Sequence, residues 1–202
     1  MHRASVASLS TLETNKVLKN TYLLLSATLG FSAIMAGLSM VMGVSSGAYI
    51  ICLIASMALG IFVLPRTANS GAGLGVIFLV TGLLGFGLGP IISMYLALSN
   101  GAQMVGTALG GTAVIFLGLA GYAMTSKRDF SFMGGFVAIG LMVMFIGIIA
   151  NIFLQMPLLS VAISGGIIML MSALILMQIG SIVSGGETNY IMATYSLYLS
   201  IF

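Results

Sequence analysis

Few side chains in this 202-residue chain could do chemistry, and their spacing narrows the choice further. Gly43-Val44-Ser45-Ser46-Gly47 has the G-x-S-x-G spacing of a serine nucleophile. No strand-turn-helix context surrounds it, and the single histidine, His2, sits in the N-terminal tail, so the motif reads as a turn. One histidine and one cysteine leave no soft-ligand set for zinc, and neither HExxH nor a Walker loop occurs. The three acids, Glu13, Asp129 and Glu187, are too scattered to pair without distant loops meeting. No catalytic residue, no metal and no cofactor is therefore expected, and the chain reads as a non-enzyme. Cys52 stands alone in an apolar run, which excludes an intramolecular disulfide and suits a small buried hydrophobe. What remains is a set of polar groups inside apolar runs. Asn151 and Gln155 lie one turn apart, Gln178 interrupts one long run, and Ser196 and Ser200 share a face at i, i+4. An amide in hydrocarbon must find a partner, so Gln178 is expected to face other helices, as interhelical glue or as part of a polar path.

These groups have to be held by membrane helices. The chain is 60% apolar and only 4% charged, with 27 Gly, 16 Met and no Trp. A soluble domain carries roughly 25% charged residues, so nine charges cannot clothe a water-facing surface. Uncharged spans cover residues 21–65, 67–126, 130–186 and 188–202. A membrane-crossing helix needs about 20 apolar residues, so the first three spans hold two helices each and the last holds part of one. The expectation is an all-α, polytopic seven-helix bundle with segments near 21–44, 48–64, 73–98, 102–124, 132–154, 158–183 and 188–202. A polar tail, residues 1–20, precedes it and looks unstructured, with room for a short helix near Leu12–Leu18. The tail carries an acid and is followed by an apolar run too long for a cleaved signal.

Orientation follows from charge. With the N-terminus inside, Arg3, Lys16, Lys19, Arg66, Lys127 and Arg128 all fall on the cytoplasmic side, and the outer loops near Ser45, Asn100 and Gln155 carry no charge. The net charge of +3 is not a nucleic-acid signal, because the six basic residues cluster on no soluble surface. The seventh span allows about 22 Å of helix against a hydrocarbon core of ~30 Å, so the last helix is read as truncated and continuing past Phe202 in the natural protein. Gly106 with Gly110, and Gly82 with Gly89, have spacings that let helix backbones approach closely. A second reading has the Gly85–Pro90 stretch bend the third segment into a movable element.

Six stretches carry a resemblance: TYLLLSATLGFSAIMA (21–36), GLLGFGLGPI (82–91), GTALGGTAVIF (106–116), TSKRDFSFMGG (125–135), ANIFLQMP (150–157) and GGETNYI (185–191). In order and over nearly the whole chain, they resemble the bacterial YccA-like branch of the Bax-inhibitor (TMBIM) family. The resemblance implies a seven-helix protein of the bacterial inner membrane that is both substrate and modulator of the membrane-anchored AAA+ protease FtsH. Its partners would be the FtsH complex with its membrane regulators, and lipids. On that view the tail, with Arg3, Lys16 and Lys19, is what the protease engages. The wider family includes pH-sensitive calcium leak channels, which gives the alternative reading, a Ca²⁺ or H⁺ leak channel or transporter. Alignment on flanking residues places Gln178 and Ser200 at the two acidic positions of that channel site, with Arg66 near its basic one. Asn151 completes the candidate intramembrane polar set. Neither Gln nor Ser titrates or offers a charged oxygen to calcium, so the carboxylate mechanism does not carry over. Met192 stands where related sequences tend to have a basic residue.

Overall fold

The computed structural model describes residues 2–126 and 130–202, with side chains from Glu13 onward. The chain runs through α1 (His2–Val41), α2 (Gly47–Ala58), a π-turn (Leu59–Val63) leading into α3 (Leu64–Thr67), α4 (Ala72–Leu96) and α5 (Gly101–Ser126). A 3₁₀ turn (Ser131–Met133) then opens α6 (Gly134–Leu154), followed by α7 (Pro157–Val183) and α8 (Tyr190–Ile201). Among the described residues, six stretches are long and apolar enough to cross a membrane: Glu13–Val41, Gly47–Thr67, Ala72–Leu96, Gly101–Ser126, Ser131–Leu154 and Pro157–Val183. The shorter α8 packs among them. This is the polytopic helical bundle expected from composition.

The first departure lies in the tail, which is helical from His2 and continuous with the first span instead of unstructured. The reason is compositional: no Gly or Pro occurs before Gly30, so nothing in the chain interrupts helix propagation. The polar composition of the tail therefore does not end α1.

The second span ends differently from a simple Pro65 stop. Proline has no N–H to donate and its ring crowds the preceding turn. The helix widens to accommodate it, and the Leu64 N–H reaches back five residues to the carbonyl of Leu59. Helical geometry then continues to Thr67. On the inside of this bulge a Cβ at Gly60 would collide with the Tyr195 hydroxyl, so the bulge seats α8.

α4 is the centre of the bundle. It runs unbroken through Pro90, and its glycines let two neighbours approach closely. A Cβ at Gly82 would come within 2.6 Å of the Phe31 ring, and one at Gly89 within 2.7 Å of the Ala36 carbonyl. At Gly85 it would overlap the backbone of Ser32, and at Gly87 it would meet the Cys52 Cβ at 2.9 Å on the α2 side. Glycines 82, 85 and 89 thus press α4 on α1, as the close-packing expectation required. Gly106 and Gly110 do not follow it. Apart from the helix's own backbone, neither has any atom within 4 Å of a Cβ placed there, because α5 lies at the periphery and turns that face away from the bundle. Spacing alone does not say which face a neighbour covers.

The core gathers Leu25 of α1, Val80 and Leu84 of α4, Ala120 and Ala123 of α5, Ile175, Ile179 and Ile182 of α7, and Leu197 and Tyr198 of α8. Gly43, at φ 62°, turns the chain between α1 and α2, so the G-x-S-x-G stretch is a turn, as expected.

Candidate functional site

α7 and α8 form a hairpin, and the geometry of its turn sets which side chains meet. Asn189 caps α8, its Oδ1 accepting from the backbone N–H groups of Ile191 (2.9 Å) and Met192 (3.1 Å). From that start, Ser200 comes level with Gln178. The two half-buried side chains are hydrogen-bonded, with Gln178 Nε2 donating to Ser200 Oγ at 3.2 Å. The Ser200 hydroxyl has acceptors at Ser196 O (3.1 Å) and Gln178 Oε1 (3.4 Å). The pair is neutral and satisfied by its own members. It ties two helices together and holds no charge with which to bind a cation. Replacing Gln178 with Leu is expected to cost only about 1 kcal/mol, because Ser200 keeps its bond to Ser196 O. Chemical unfolding in detergent measures this.

The other two members of the expected polar set lie elsewhere. Arg66 is exposed and folds back on its own helix, Nη1 donating to Phe62 O at 2.8 Å. Asn151 braces the α6–α7 turn: its Nδ2 donates to Ser160 Oγ at 2.7 Å and its Oδ1 accepts from Met156 N at 3.1 Å. Gln155 takes the left-handed conformation there, at φ 50°. Gln178 and Ser200 therefore meet, while Arg66 and Asn151 each serve a local turn. Among the described residues no group of three or more His, Cys, Asp or Glu side chains could hold a metal ion.

A polar junction that sequence reasoning missed lies beside the pair. Tyr198 is fully buried, its hydroxyl 2.6 Å from Ser32 Oγ of α1 and 3.3 Å from the Thr81 carbonyl of α4. Three helices thus share one hydroxyl. The junction forms part of the wall of an apolar groove of 720 Å³ between α1, α4, α5 and the end of α8. The available signal was the phenol itself, which needs a partner when buried. Three tyrosines stand in the last segment, and nothing in the sequence singles out this one.

At the end that carries the basic residues, three segments converge. Asn189 Nδ2 donates to the Ala68 carbonyl (3.1 Å) and to Asn69 Oδ1 (2.7 Å), joining the α7–α8 loop to the loop after α3. The backbone N–H of Asn189 also donates to Glu187 Oε1 at 2.8 Å. Gly185, at φ 79°, faces α1, where a Cβ would lie 3.7 Å from Thr14 Oγ1. Along α1, Val17 and Leu18 pack on the core while Lys16 and Lys19 are exposed. The Arg3 side chain, and Lys127 and Arg128 with Asp129, lie outside the described residues.

Residues 14–202 match the family model described as inhibitor of apoptosis-promoting Bax1. The chain belongs to the Bax1-I family. Its relatives include a protein of Escherichia coli K12 named modulator of FtsH protease YccA, 46% identical over 96% of this chain and 87% of that protein. The corresponding protein of Escherichia coli O6:H1, named inner membrane protein YccA, matches to the same extent. A membrane protein of Vibrio cholerae is 46% identical over 95% of this chain and 86% of its own length. The Bax1-I match starts at Thr14, the α1 residue that faces Gly185.

Proposed function

We propose that this Bax1-I protein is a multi-pass protein of the bacterial inner membrane that modulates the FtsH protease, acting as a slowly degraded substrate that occupies it. The observation that carries this is 46% identity, over 96% of the chain, to a protein named as the modulator of that protease. The names of the family and of these relatives indicate no catalytic activity. Two structural features support the role. α1 starts at His2, ahead of the first membrane-crossing stretch at Glu13, so a helical polar segment precedes that stretch and offers a protease on that face something to grip. Behind it, the Gly82–Gly89 seam presses α1 against α4, so extraction of the first helix has to break a closely packed helix pair.

Deleting the residues that precede Glu13 tests this. The shortened chain is expected to persist in cells that hold active FtsH and to lose most of its co-purification with the protease. Unchanged turnover together with unchanged co-purification would count against the role. The ion-leak alternative is not favoured, because the two positions at which the resemblance puts its acidic pair are Gln178 and Ser200, which are neutral and hydrogen-bonded to each other. Liposomes containing the protein are expected to show no pH-dependent Ca²⁺ leak between about pH 6 and pH 8, since no carboxylate titrates at that position.

A further inference from the structure

We propose that the α7–α8 loop clamps the base of the tail helix and so controls how readily a protease can engage the chain. The inference rests on the protease reading above and names the element that regulates it.

The clamp has three parts. Thr14 of α1 faces Gly185, the left-handed residue of the α7–α8 loop. That loop is rigid by construction: Gly186 N and Glu187 N both donate to Ser181 O, at 2.8 and 3.3 Å, and Asn189 N donates to Glu187 Oε1. Finally, Asn189 struts the loop to Ala68 O and Asn69 Oδ1, so the loop leans on the α3 end as well as on α7. One turn further along α1, the half-buried Val17 and Leu18 pack against the core to which α7 and α8 contribute. Among the described side chains, the contacts that hold the base of α1 to the bundle thus include Thr14, Val17 and Leu18. From Thr14 to Asn20 the helix is part of the bundle.

A protease that pulls on α1 has to unwind it, and unwinding past Glu13 means opening these contacts first. Where opening and reclosing are fast relative to engagement, degradation follows the equilibrium population of the open form. Local openings of this kind are set by few contacts, so small changes at the clamp move the rate without unfolding the bundle.

The test uses the full chain in proteoliposomes with the FtsH protease and ATP, read as the rate of loss, with amide hydrogen exchange of residues 14–20 read in parallel. Two clamp variants are compared. Asn69→Ala removes one strut but leaves the α8 cap on Ile191 and Met192 intact, and Val17→Ser with Leu18→Ser removes the apolar anchor. Asn151→Ala, which loosens the turn at the opposite end, controls for general destabilisation. Both clamp variants are expected to speed exchange at 14–20 and to raise the degradation rate about fivefold, with Asn151→Ala close to wild type. Faster exchange with unchanged degradation overturns the clamp while leaving the protease reading intact, as does acceleration of the Asn151 control to the same degree. A wild-type chain that is not degraded at all overturns the protease reading, and the clamp with it.

Discussion

Gly85→Ala is expected to lower the stability of the bundle by about 3 kcal/mol or more, at the upper end of what overpacking costs. The added methyl would overlap the backbone of Ser32 as well as its hydroxyl, and the backbone cannot rotate away as a side-chain tip could. α4 would have to move off α1 as a body. Its contacts at Gly82 with Phe31 and at Gly89 with Ala36 and Ser39 would loosen together. Helix association in a membrane rests on close packing and interhelical hydrogen bonds, because lipid tails are as apolar as the side chains. A lost seam is therefore not compensated by hydrophobic burial elsewhere. Gly110→Ala is the matched control. Beyond the helix's own backbone no atom lies within 4 Å of the new methyl, and helix propensity favours alanine by up to about 1 kcal/mol. Unfolding both variants in mixed micelles, followed by circular dichroism, separates them. Equal stabilities for the two would overturn the assignment of α4 as the packing centre.

The contrast between Gly85 and Gly110 also shows where sequence reasoning stops. The spans were legible because charge vanishes across each of them, and their ends were legible because Gly43, Asn100, Gln155-Met156-Pro157 and Ser184–Asn189 punctuate the chain. Facing was not legible. A helix that is apolar all round presents no stripe to orient it, so a small-residue pair on α5 and one on α4 look alike. The Gln178–Ser200 contact could be placed because both residues interrupt apolar runs and alignment put them at paired positions. Arg66 and Asn151 were grouped with them on polarity alone, and each turned out to serve a nearby turn. The tail misled for the opposite reason. Its polarity suggested loose chain, whereas the absence of Gly and Pro before Gly30 decided its conformation. The π-turn before Pro65 and the Asn189 strut to Asn69 depend on tertiary approach and left no local signature.

Tyr198 supplies the second large effect. Truncation to Ala removes a fully buried ring and is expected to cost about 3–4 kcal/mol, in the range for buried aromatic-to-Ala changes. The lower part of that range applies because the void opens into the existing groove, which detergent or lipid tails can enter. Phe202, whose ring stacks on Tyr198 with centroids 5.9 Å apart, loses its partner at the same time. Tyr198→Phe isolates the hydroxyl. It keeps the ring and leaves Ser32 Oγ without the phenol, which is expected to cost about 1–2 kcal/mol. A double-mutant cycle then decides whether the three-helix junction acts as a unit. If Ser32 and Tyr198 serve mainly each other, Ser32→Ala costs little more once Tyr198→Phe is in place. The coupling between them should reach about 1 kcal/mol. Strictly additive costs would mean that the 2.6 Å contact contributes nothing of its own, and that shape alone holds α8 against α1 and α4. Coupled costs would make the Tyr198 hydroxyl the group that fixes α8 in register with both helices, and with it the level at which Ser200 meets Gln178.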